Sequence, residues 1–114
     1  MKMKYFISQV MNGRTDAEIK AEREKVIAAM KKGNPDAECI ASFFEGELYD
    51  AKPLWFLGKS FELLSKADLC IFVDGADNKA RGCWMEYQAC LRYGIDSCAF
   101  DTQTGFFVAI SGGI

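Results

Sequence analysis

Hydrophobic and polar positions run along this chain in two rhythms, one of short apolar bursts and one of helical spacing. Tyr5, Phe6 and Ile7 form a burst closed by Ser8, which predicts a short first strand followed by a loop over residues 9–14. Thr15-Asp16-Ala17-Glu18 is a capping box, in which a hydroxyl and a carboxylate each satisfy a free N–H of a helix's first turn. Behind it Ile19, Val26, Ile27 and Met30 recur at helical spacing, and charges fill the other face. Gly33 and the turn Asn34-Pro35-Asp36 end that helix. Residues 39–44 predict a second strand, and residues 45–52 a polar loop. Pro53 suits the first position of a helix. Leu54, Trp55, Leu57, Phe61 and Leu64 then give an apolar stripe to about Lys66. The clearest strand covers residues 67–73. It is apolar on both parities from Leu69 to Val73, as a central strand covered on both faces should be. A turn-rich loop over 74–79 leads to a helix over 80–93 that Gly94 ends. Two strands, over 97–100 and 106–110, precede a short tail.

Strands and helices thus alternate as βα-βα-βα-β-β. Short connections between alternating elements imply a mostly parallel sheet with helices on both faces. The expectation is an α/β fold: a flavodoxin-like three-layer sandwich of about five strands, in one domain over residues 1–114. Such sheets bind ligands beyond the carboxyl ends of their strands, at the switch point. Two loops gain importance from that rule, residues 8–14 and residues 74–82.

Composition narrows the chemistry. The 114 residues include no histidine, which excludes Ser-His-Asp triads, Cys-His dyads and His-ligated metal sites. Any catalysis must use carboxylates, Tyr, Cys, Lys or backbone groups, and neither a metal nor a cofactor is expected. The net charge is −2 with no basic stretch, so duplex nucleic acid is an unfavoured partner. The five cysteines are odd in number and include no CxxC pair, which reads as buried reduced thiols. Apolar runs reach about five residues, against the ~20 of a membrane helix. The basic-then-apolar start is cut short by Ser8 and Gln9, too early for a signal peptide. The expectation is a soluble cytoplasmic protein without a membrane partner.

Several residues are placed to carry chemistry. Both loops feed helix N-termini, whose free N–H groups favour anions. Gly13 and Gly82 let backbone approach a ligand, and Arg14 offers a fork of donors. Glu86 stands about two turns into a helix that is otherwise largely apolar: Cys83, Trp84, Met85, Tyr87, Ala89, Cys90 and Leu91. It either points into the crevice, where burial would tune its acidity, or is a solvated residue paired with Lys79 or Arg92. Asp74 directly follows the apolar strand, as a ligand-facing carboxylate or as the Asp of an Asp-Gly turn. Tyr5 is a core tyrosine or a site residue.

Taken together, Tyr5-Phe6-Ile7-Ser8 with Asn12-Gly13, the strand ending in Asp74-Gly75, and Ala80-Arg81-Gly82-Cys83-Trp84-Met85-Glu86 resemble the nucleoside 2-deoxyribosyltransferase superfamily, which includes the deoxynucleotide N-hydrolases. The resemblance runs from Tyr5 to about Phe100. It implies cleavage or transfer at the N-glycosidic bond of a nucleoside or nucleotide. In that reading Glu86 is the carboxylate nucleophile or stabiliser at the sugar C1′, Asp74 assists the leaving base or the sugar hydroxyls, and Tyr5 supports Glu86. The candidate substrate-binding residues are Ser8, Asn12, Gly13, Arg14, Gly75, Arg81 and Gly82. Two positions depart from the family pattern: Ala80 stands where Ser or Asp is frequent, and Gln88 where Gly is. The alternative is a non-catalytic protein that senses or sequesters a nucleotide. Both the resemblance and the many large apolar residues on two helices, Leu54, Trp55 and Trp84 among them, imply a homodimer or higher homo-oligomer.

Overall fold

The computed structural model describes residues 2–43 and 52–110. In chain order it contains β1 (Lys4–Ser8), α1 (Asp16–Gly33), β2 (Glu38–Cys39), α2 (Pro53–Leu64), β3 (Leu69–Val73), a 3-10 turn (Ala76–Asn78), α3 (Arg81–Tyr93), β4 (Asp96–Phe100) and β5 (Phe107–Ala109). The five strands form one sheet in the order β2-β1-β3-β4-β5. The first four are parallel, and β5 returns antiparallel to β4 through a hairpin. This is the 2-1-3-4-5 order of flavodoxin-like sandwiches, with a hairpin in place of the last crossover.

Two apolar layers fix the helices. On one face Tyr5, Ile7, Ile71, Val73 and Phe100 pack with Val26 and Met30 of α1. On the other, Phe6, Cys70 and Phe72 pack with Leu64 of α2 and Cys90 of α3. Strand period two produces this division, since neighbouring residues of β1 and β3 point to opposite sides. The chain therefore crosses from one face to the other between β1 and β3, and the switch point lies at their carboxyl ends.

The local signals act where they were read. Thr15 caps α1, accepting from the Glu18 N–H at 3.2 Å while the Glu18 carboxylate accepts from the Thr15 N–H at 2.9 Å. Gly94 closes α3 in the left-handed conformation, φ 74°. Elsewhere the structure corrects the reading. The second strand is Glu38–Cys39 rather than residues 39–44, of which Phe44 lies outside the described residues. Its ladder continues one bond further, Ile40 N–H donating to the Tyr5 carbonyl at 2.8 Å. At the next position the Ser42 hydroxyl donates to the Ile7 carbonyl at 3.5 Å, so a side chain stands where a strand would place its backbone. The predicted charged face of α1 includes one exception, Arg23, which is buried. Among the described residues no helix is long and apolar enough to cross a membrane.

Candidate functional site

A cavity of about 200 Å³ opens at the carboxyl end of β1, on the α2/α3 face of the sheet. Its walls come from the end of β1 (Phe6, Ser8), from Ser42, from the first half of α2 (Phe56, Leu57, Ser60) and from the first turns of α3 (Gly82, Cys83, Glu86). The residues of α3 buried against the sheet are Cys83, Glu86 and Cys90, spaced three and four apart, so Glu86 occupies an inward position of an otherwise apolar stripe. That decides between the two readings of its sequence context. Glu86 is 6% exposed and forms no ion pair among the described residues.

The Ser8 hydroxyl donates to Glu86 Oε1 at 2.7 Å. Burial pushes the Glu86 carboxyl up to about 7, against the pull of hydrogen bonds from Ser8 and Ser60, which favour the ionised form. Near neutral pH the group is divided between acid and carboxylate. It can act as a nucleophile or charge stabiliser above that pH and hold a proton below it.

The other sequence candidates fall in separate places. Gly82 and Ser8 line the Glu86 cavity. Tyr5 does not. Its side chain belongs to the α1 face, against Val26 and Met30, and burial beside the Cys39 thiol pushes its hydroxyl up to about 12. The expected support of Glu86 by Tyr5 is thus corrected: Ser8, three residues further along the strand and on the opposite parity, is the strand residue that contacts Glu86.

Asp74 adopts the left-handed conformation, φ 50°, and is tied to the β4–β5 hairpin. Its Oδ1 accepts from the Thr102 N–H at 2.9 Å and its Oδ2 from the Thr102 hydroxyl at 2.6 Å. It borders a hollow of about 270 Å³ with Arg14, Glu22 and Lys79, and another of about 510 Å³ with Gly75, Lys79 and Thr102. Arg14 is held by the Val10 carbonyl at 2.8 Å and by Glu22 at 2.9 Å. Asn12 and Gly13 are exposed in the turn before it. Arg81 lies with Trp84 and Met85 along a third hollow. Of the candidates, then, the cavity unites Ser8, Gly82 and Glu86, while Asp74, Gly75 and Arg14 surround neighbouring hollows.

Sequence reasoning missed Ser42, Ser60 and a buried polar network beneath the first loop. Arg23 Nη1 donates to Gln9 Oε1 at 3.0 Å, and Gln9 Nε2 donates to Glu22 at 2.8 Å. The Cys83 thiol donates to the Gln9 carbonyl at 3.4 Å, joining this network to the cavity wall. The available signals were polar residues inside apolar stripes: Ser60 among Phe56, Leu57 and Leu64, and Arg23 among Ile19, Val26 and Met30.

The fold and site define an α/β sandwich with a buried carboxyl, Glu86, at the crevice of its switch point. No family model and no curated protein matches the chain. Among solved structures it is similar to a conserved protein from Enterococcus faecalis V583, with a TM-score of 0.64 and 13% identity. The likeness covers 88% of this chain and 64% of that one, and at this identity it bears on the fold alone.

Proposed function

We propose that the protein binds a nucleoside or nucleotide and cleaves its N-glycosidic bond, or transfers the sugar, with Glu86 as the carboxylate at the anomeric carbon. The observation that carries this reading is the placement of Glu86, a buried carboxyl facing a cavity at the carboxyl end of β1 and held by the Ser8 hydroxyl. Loss of the base leaves an oxocarbenium-like sugar. Inside the cavity a carboxylate stabilises that charge, or closes a C1′–O bond as the C1′–N bond breaks. The bond pair departs with the base, which takes a proton from solvent. Water then completes hydrolysis, and a second base completes transfer. A cavity of about 200 Å³ suits a sugar ring, being smaller than the ~300 Å³ at which drug-sized sites begin.

The test is incubation with deoxynucleosides and their 5′-monophosphates, with and without an acceptor base, followed by chromatography. Release of free base by the parent protein and none by Glu86→Gln is the expected result. Equal release by both removes Glu86 from the chemistry.

A second reading, a nucleotide-binding protein without catalysis, is favoured by the tie between Asp74 and Thr102 and by the place of Tyr5 across the sheet. Ligand binding without base release would select it. Either version is proposed as a homodimer formed through α2 and α3, where Leu54, Phe61 and Trp84 are exposed. Light scattering that returns a single-chain mass would contradict the dimer.

A further inference from the structure

The cavity around Glu86 is uneven in what it offers a ligand. Its polar side chains include Ser8, Ser42, Ser60 and Glu86, and the Ser8 and Ser42 protons are already committed. Ser8 donates to Glu86 and Ser42 to the Ile7 carbonyl, while the nearby Ser60 hydroxyl favours the ionised carboxylate. The Cys83 thiol is turned to the Gln9 carbonyl. A hydroxyl has one proton and two lone pairs, so Ser8 and Ser42 face the cavity as acceptors. Much of the remaining wall is apolar, from Phe6, Met11, Phe56 and Leu57.

No lysine or arginine lines the cavity among the described residues. Arg14, Lys79 and Arg81 border other hollows, and Arg14 is held by Glu22. The first-turn N–H groups of α3 at the rim carry about half a positive charge. Above pH 7 the ionised Glu86 outweighs them with a full negative one.

We propose that this site takes an uncharged nucleoside and turns away the 5′-phosphorylated form. The inference rests on the N-glycosidic reading and narrows its substrate class. Sugar hydroxyls supply the donors that the serine and carboxylate lone pairs lack. A phosphate brings up to about two negative charges beside a carboxylate, with no lysine or arginine among the described lining residues to meet it.

The experiment compares a 2′-deoxynucleoside with its 5′-monophosphate at pH 8, following base release by chromatography and binding by calorimetry. The nucleoside should be favoured by at least about tenfold, equivalent to 1.4 kcal/mol. Leu57→Arg, which adds a cation to the wall, should shrink or reverse that preference, with circular dichroism confirming the fold. Met11→Lys serves the same end if the first variant does not fold. Equal or better use of the monophosphate by the parent overturns the inference and leaves the N-glycosidic reading standing. A binding preference for the nucleoside without base release supports the inference and selects the non-catalytic reading. Neither binding nor release with either compound overturns both.

Discussion

Among the described residues the two faces of the sheet bury one acidic or basic side chain each, Arg23 and Glu86, and treat it in opposite ways. On the α1 face Arg23 is surrounded by neutral acceptors: Gln9 Oε1, the Ile40 carbonyl at 3.5 Å and the Cys39 sulfur at 3.9 Å. The face is otherwise closed by Tyr5, Ile7, Val26 and Met30, and the guanidinium serves to hold the first loop against α1. On the α2/α3 face Glu86 meets the Ser8 hydroxyl and an open cavity. The same strand supplies both environments, because Tyr5 and Ile7 point one way and Phe6 and Ser8 the other. A buried charge that neighbouring groups saturate is structural. One that retains unused lone pairs beside empty volume is available to a ligand.

The strongest way to break this contrast is Glu86→Gln. The amide is a far weaker nucleophile, so base release should fall by at least about a thousandfold. Stability should move the other way. The folded pKa of Glu86, about 7, lies above the reference value of 4.5, so the folded state keeps this proton to higher pH than the unfolded chain does. Its stabilising contribution is complete below pH 4.5 and is lost as the pH rises through 7, about 3 kcal/mol in all. Urea denaturation at pH 4 and pH 8 measures it. The parent should lose about 3 kcal/mol more than Glu86→Gln across that interval. Identical pH slopes would place Glu86 in water rather than in the cavity.

The Arg23 side of the comparison is sharpened by Arg23→Ala. Removing this side chain leaves Gln9 Oε1 without its donor and opens space beneath the first loop, for an expected loss of about 2–4 kcal/mol. The loss should appear in urea denaturation with no change in the pH midpoint of base release. A moved midpoint would mean that the two faces are electrostatically joined through Gln9.

What the sequence showed was what local rules decide. The capping box at Thr15, the Gly94 stop and the strand apolar on both parities from Leu69 to Val73 need no distant partner, and each element stands where they put it. Glu86 was legible for a related reason, since an isolated charge in an apolar helix has few solvated positions to take. Parity would also have separated Tyr5 from Ser8: residues three apart on a strand face opposite ways, so the two cannot both face one cavity. The resemblance that grouped them overrode that simple count. Asp74 was not legible, because its partner Thr102 is 28 residues away in sequence and on a hairpin whose course is set by the sheet edge. Arg23 was counted with the solvated charges because its long stem packs like an apolar residue, a property composition does not distinguish.

The smallest and most discriminating effect comes from the two strand residues themselves. The Ser8 hydroxyl donates to Glu86 at 2.7 Å and favours the ionised form. Ser8→Ala removes a hydrogen bond to a charged group, worth about 1.5–3 kcal/mol, and Ser60 compensates in part. The midpoint of the pH–activity curve should therefore move upward by about one unit. Tyr5→Phe deletes a hydroxyl on the opposite face, beside Cys39 and Arg23. It should leave the midpoint where it was and cost about 1 kcal/mol of stability. The pair of pH profiles separates the two faces of one strand. If Tyr5→Phe shifted the midpoint as far as Ser8→Ala, the carboxyl would be responding to the α1 face, and the division of the sheet into a closed face and an open one would fail.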